Sequence, residues 1–186
     1  WGSMFHCVLP EEHEITNLKS YLEVFQKSEY PSFFRVARER YFNDTFALFA
    51  YWSPLWKGII ERDVGFFIET GYHDDYLMEK FYSYLKSHET PRISLIVFDD
   101  FDKLGHTYGY FTDKQLEHLN DVDAFIGKII KLIEKKGELD DTLILLVTDH
   151  GGGGFDPIQH GSFHDKDMTV FFSAKGPFIP KGIPDL

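Results

Sequence analysis

Apolar residues along this chain fall into two kinds of run, and the difference between them predicts the elements. Between residues 112 and 136, Leu116, Leu119, Val122, Ile126, Ile129, Ile130 and Ile133 recur at spacings of three and four, with Lys, Glu and Asp between them. That period lays one apolar stripe along an α-helix. Thr112 followed by Gln115 reads as a capping box, and Gly137 as the stop. A second helix is predicted over 73–87, carried by Tyr76, Leu77, Phe81, Tyr84 and Leu85. A third is predicted over 31–41, beginning after Ser28-Glu29-Tyr30.

The other runs are short and continuous. Residues 45–51, 65–68, 93–98, 142–147 and 168–172 are rich in β-branched and aromatic side chains without clean alternation. Such runs predict strands buried on both faces, hence a parallel or mostly parallel central sheet. Strands alternating with helices give an α/β fold, with helices on both faces of the sheet. No internal repeat, low-complexity tract or clear linker interrupts the 186 residues, so a single domain over 1–186 is expected.

Composition changes this picture at a few points. With 19 Phe and 10 Tyr, the core can be built largely from rings. A formal charge of −11 repels a phosphate backbone, so no nucleic-acid binding is expected. A small phosphate substrate stays open, because bound cations reverse the local field. A single Cys excludes an internal disulfide framework and a cysteine-rich zinc module, and leaves the compartment open. No apolar stretch approaches the ~20 residues of a membrane span. No signal-peptide pattern opens the chain, and Asn43-Asp44-Thr45 is a glycosylation triplet of a kind common by chance.

The polar residues then acquire places. Asp99, Asp100 and Asp102 follow the run 93–98, and Asp149 and His150 follow the run 142–147. Ligand crevices of open α/β sheets lie outside the carboxyl ends of the strands. Three pieces of a metal site are candidates. In Asp102-Lys103-Leu104-Gly105-His106, a three-residue turn aims one oxygen and one nitrogen at a common point, Gly105 giving the backbone its freedom. Asp149-His150 is the second piece. His160-Gly161 is the third, reached through Gly151 to Gly154, where absent side chains let backbone crowd close. Each alone has a bland reading: a cap, a turn, a mobile loop. Together, five oxygen and nitrogen ligands exceed what one tetrahedral zinc needs and suit two ions.

Asp102–His106, Thr148-Asp149-His150-Gly151 and His160-Gly161 resemble the metal motifs of the alkaline phosphatase superfamily, and most closely its type I phosphodiesterase/nucleotide pyrophosphatase branch. Thr169–Phe172 through Gly176-Pro177 resembles that branch's next strand and Gly-Pro turn. Trp1–Met4 through Val8–His13, with Ile15-Thr16, resembles the segment that follows its nucleophile. The resemblance implies an alkaline-phosphatase-like fold holding two divalent cations, zinc first and manganese second. Asp102, His106 and His160 would hold one ion, and Asp149 and His150 would help hold the other. It further implies a Ser or Thr nucleophile expected upstream of Trp1, a covalent phospho-enzyme, and a small-molecule phosphodiester or nucleotide pyrophosphate as substrate. On this reading the domain is incomplete at both ends, Trp1 and Pro184-Asp185-Leu186, and Ser3 lies past the nucleophile position.

Departures from the family pattern keep alternatives in view. Cys7 and Glu14 stand where relatives tend to have Gly, and Phe101 where a Pro often precedes the metal Asp. A phosphomonoesterase or phosphomutase shares much of the metal set. A non-catalytic phosphate- or nucleotide-binding relic would explain the lost glycines. A sulfatase fits poorly, since Cys7-Val8-Leu9-Pro10-Glu11 lacks the C-x-P/A-x-R setting. His164 is expected beside the site or on the surface, Asp156 and Asp165 in loop turns, and His118 on a polar helix face. Asp99 and Asp100 are candidates to orient a ligating histidine. Trp52 and Trp56 line a pocket or a core rim.

Overall fold

The structure is a computed structural model describing residues 1–22 and 29–182. Ser28 and Pro184-Asp185-Leu186, named above, lie outside the described residues. The chain divides into two compact units, Trp1–Asp99 and Asp100–Leu186.

The first unit opens with three short helices, α1 (Gly2–His6), α2 (Pro10–His13) and α3 (Asn17–Tyr21), and continues with α4 (Phe33–Arg40), β1 (Phe46–Phe49), β2 (Phe67–Glu69), α5 (Asp74–Ser87) and β3 (Ile93–Ile96). The strands pair in parallel in the order β2-β1-β3, as the continuous apolar runs predict. β1 is buried along its whole length, because both of its faces are covered. Phe46 and Leu48 join Phe5, Phe34, Leu55 and Ile60 in one cluster. On α5, the Phe81 ring meets Phe49 edge-on at 5.0 Å, and Tyr84 stacks on Phe67 at 4.8 Å. Leu77, Phe81 and Leu85 recur at helical spacing on the buried side of α5, each stabilising the fold by roughly 1.5–3 kcal/mol through burial. The edge strand departs from expectation: Phe67 and Ile68 are exposed, because β2 has a neighbour on one side only.

α4 begins at Phe33, capped by the Ser32 hydroxyl, which accepts from the Arg35 amide at 3.2 Å. The same hydroxyl donates to the buried Glu61 carboxylate, which also accepts from the Ser32 amide at 2.8 Å. Trp52 and Trp56 pack against the rim of the core, with Trp52 Nε1 donating to the Tyr21 hydroxyl at 2.9 Å.

The second unit holds α6 (Asp100–Tyr108), α7 (Asp113–Lys135), β4 (Ile144–Val147), the single-turn α8 (Asp165–Met168) and β5 (Phe172–Lys175). The long helix stands where its period predicts it, and Gly137 closes it with a φ of 75°. Two details are corrected. The buried face is Gln115, Val122, Phe125 and Ile133, leaving Leu116 and Leu119 exposed. The capping box is not made: the Thr112 hydroxyl donates to the Gly109 carbonyl, and Gln115 Oε1 accepts from Phe111, one residue earlier. Gln115 is instead a buried tie, its Nε2 donating to the Phe101 carbonyl at 3.1 Å and so joining the start of α7 to the start of α6.

β4 and β5 run antiparallel, with Ile144 opposite Lys175 and Val147 opposite Phe172. The last strand lies later than the run 168–172 predicts, because α8 takes up residues through Met168. Leu145, Leu146 and Val147 are exposed rather than buried on both faces, since apolar content does not distinguish a central strand from one with a single neighbour.

Candidate metal centre

The second unit carries all five predicted ligands, on one helix, just after one strand and beyond one glycine-rich connection. Asp102 and His106 lie on α6, four residues apart, so both point from one face of a helix. This corrects the expected turn. Gly105 is buried within that helix, and an added Cβ would meet the Tyr110 ring at 2.7 Å and Gln115 Nε2 at 2.9 Å. Glycine is required there by close packing, not by backbone freedom.

His160 arrives from the loop after the glycine run. That loop is braced by backbone bonds: Gly151 and Gly152 donate to Asp167 and Lys166 carbonyls, and Gly153 donates to Gln159. A Cβ on Gly151 would sit 1.9 Å from the Lys166 carbonyl oxygen, so the absent side chains do let backbone crowd in. Buried Asp167, which no sequence pattern singles out, accepts from the amides of Gly154 and Ser162 at 2.9 Å each. The Ser162 hydroxyl, with these amides, holds its carboxylate below the ordinary value.

One oxygen or nitrogen from each of Asp102, His106 and His160 lies within 4.8 Å of the others. Among the described residues this is the group of three or more with metal-ligating reach. Its donor set, one carboxylate oxygen and two imidazole nitrogens, matches zinc chemistry. Asp149 and His150 follow β4 and stand beside this cluster without being part of it. The His150 ring stacks on His160 at 3.7 Å, and its Nε2 lies 3.6 Å from Asp149 Oδ2.

Backbone carbonyls fix how two of the three imidazoles are turned. His106 Nδ1 donates to the Ile158 carbonyl and His150 Nδ1 to the Gly151 carbonyl, each at 2.7 Å. With Nδ1 carrying the proton, the neutral ring leaves Nε2 as a lone pair facing the site. Burial, then the neighbouring His150, lowers the His160 pKa and favours the same neutral form. No sequence signal announces these two carbonyls, because they belong to the backbone. Asp100, a candidate to orient a histidine, accepts from Lys103 at 2.8 Å, and Asp99 donates its amide to Asp74.

A second residue missed from the sequence is Tyr110. Its hydroxyl donates to Asp102 Oδ1, and the distance from that hydroxyl to His106 Nε2 is 3.5 Å. Burial, then the Asp102 carboxylate, raises its pKa well above the ordinary phenol value. His164, expected beside the site or on the surface, caps α8 through Nδ1, and Asp156 makes the expected turn by accepting from Ile158.

Ser3 has no base. His13 Nε2 lies 3.1 Å from Ser3 Oγ, but His13 Nδ1 accepts from the Ile15 amide at 2.9 Å. The Nε2 atom of the neutral ring therefore carries the proton and donates to Ser3, so it cannot take a proton from it.

A model of the type I phosphodiesterase / nucleotide pyrophosphatase family matches residues 11–178, a stretch that includes every candidate ligand. No curated protein sequence matches the chain.

Proposed function

Because the chain belongs to the type I phosphodiesterase/nucleotide pyrophosphatase family, we propose that it supplies the metal centre of a hydrolase acting on phosphodiesters or nucleotide pyrophosphates. The observation that carries this reading is the convergence of Asp102, His106 and His160 within 4.8 Å. These three would hold one divalent ion, zinc by donor type or manganese, and Asp149 with His150 would help hold a second. Bound ions would polarise the phosphate ester and activate the attacking oxygen. The chain's own contribution is orientation. α6 presents Asp102 and His106 together, the Ile158 and Gly151 carbonyls aim His106 and His150, and the braced glycine loop delivers His160.

In net hydrolysis, water adds across the P–O bond, hydroxyl to phosphorus and a proton to the leaving alcohol or phosphate. The attacking group in this reading is a Ser or Thr hydroxyl, and the His13 tautomer supports leaving Ser3 out of that role. The family match runs through both compact units, which supports treating them as one catalytic domain.

The test is cleavage of an aryl phosphodiester by the natural protein, with and without a chelator. His160→Ala should lose most of the zinc-dependent rate, and diesters should be cleaved faster than monoesters. An unchanged rate in the His160 variant sinks the assignment. Phosphate binding without turnover in the unsubstituted protein would favour the non-catalytic relic.

A further inference from the structure

Outside the five candidate ligands, Tyr110 lies just past α6 and touches both Asp102 and the loop that carries His160. Its backbone amide donates to the Pro157 carbonyl at 2.9 Å, fixing the turn to the loop that carries His160. Its ring fills a slot that glycines leave open. Cβ atoms added at Gly105, Gly152 and Gly153 would meet its side-chain atoms at 2.7, 2.3 and 2.9 Å. Three glycines from two segments therefore determine where the phenol oxygen lies.

We infer that Tyr110 is a positioning residue for the metal centre, its hydroxyl holding the Asp102 carboxylate in the orientation that the ion requires while leaving the His106 lone pair free. The inference rests on the metal reading above and concerns a residue that reading does not use. A phenol has one proton to give, and here it goes to Asp102 Oδ1. His106 Nε2 at 3.5 Å is thus approached by the phenol without losing its lone pair, since His106 Nδ1 holds the ring's own proton against Ile158. Asp102 Oδ2 remains on the His106 side, 3.4 Å from Nε2. With side chains of Asp102 and His106 roughly a third exposed, neither rotamer is locked by packing alone, and a fixed donor removes freedom the ion would otherwise have to overcome.

The experiment measures zinc affinity of this chain by competition with a chromogenic chelator, for the unsubstituted protein, Tyr110→Phe, His106→Ala, Asp102→Ala and the Asp102→Ala/Tyr110→Phe pair. Cobalt-loaded spectra are recorded alongside. Tyr110→Phe keeps the ring in its slot and should weaken zinc by about 10- to 100-fold, the usual effect of losing a group that orients a ligand. It should also alter the cobalt absorption bands. In the Asp102→Ala background the same substitution should add nothing, because the partner is already gone. An equal factor in both backgrounds would mean general loosening and would overturn the inference. Zinc affinity unchanged in Tyr110→Phe, but lost in His106→Ala, would overturn it while leaving the metal reading standing. Affinity indifferent to His106→Ala would sink the metal reading, and this inference with it.

Discussion

Cys7 and Glu14 carry φ angles of 58° and 54°, left-handed values that end α1 and α2. A side chain there crowds the following carbonyl, at a cost of roughly 1–2 kcal/mol that glycine avoids. The resemblance puts glycine at these two positions, and the φ angles are ones that glycine adopts without strain. Glycine relieves that strain and gives part of the gain back to the greater freedom of the unfolded chain. Cys7→Gly should therefore stabilise the protein by about 1 kcal/mol in urea unfolding; destabilisation would show that the Cys7 side chain has a role of its own. His13 gives a pH expectation with a definite sign. Burial, then the charge of His6, lowers its pKa below 6.5, and both of its hydrogen bonds suit the neutral ring. Its folded form resists protonation, so its contribution is intact above 6.5 and declines as pH falls from there toward the lowered value. A proton resonance titration of His13 with a midpoint at or above 6.5 would contradict this, as would identical acid sensitivity in His13→Gln. At this scale the candidate ligands stand out by residue type and spacing, and three of them, Asp102, His106 and His160, lie within 4.8 Å of one another. Tyr110, Asp167 and the two carbonyls that aim His106 and His150 do not stand out in the sequence, because their roles depend on contacts between segments rather than on any pattern within one.

Among the elements, periodicity located the helices better than it located their faces and ends. The start of α4 shows why. Residues 31–41 read as helical, but the cap is Ser32, chosen by its bond to Arg35 and by buried Glu61, which is 29 residues away in sequence. Ser32→Ala removes the cap and one of the donors to a buried carboxylate, so a loss of about 2 kcal/mol is expected. A loss of only a few tenths in chemical denaturation would mean that water replaces the hydroxyl. α6 was hidden for a different reason. Gly105 reads as a breaker in an isolated stretch, yet within the fold it is the one residue small enough to sit against Tyr110 and Gln115. The rotated face of α7 has the same origin. Gln115 is drawn inside by its bonds to Phe111 and Phe101, and Leu116 and Leu119 turn outward with it.

For the molecule as a whole, the acidic charge and the site make separable demands on cations. A net charge of −11 attracts any divalent ion, and screening that self-repulsion stabilises the folded chain without any specific site. A centre built from two imidazole nitrogens and a carboxylate would discriminate instead, preferring zinc to manganese and having little use for magnesium, which demands oxygen ligands. Ion binding to the folded form alone adds about 2.7 kcal/mol when the free ion is ~100-fold above its dissociation constant. The melting temperature should therefore rise with zinc, rise less with manganese at equal concentration, and respond to magnesium only through screening. His160→Ala leaves the global charge at neutral pH nearly as it was but removes one ligand, so it should lose the zinc-specific increment and keep the magnesium response. Equal shifts from all three ions, unaffected by His160→Ala, would assign the whole effect to the protein's field and leave Asp102, His106 and His160 as neighbours without an ion. A zinc increment that disappears in the variant would tie the ligands to stability as well as to chemistry, since a site completed by an ion is also a cross-link between α6 and the loop that follows β4.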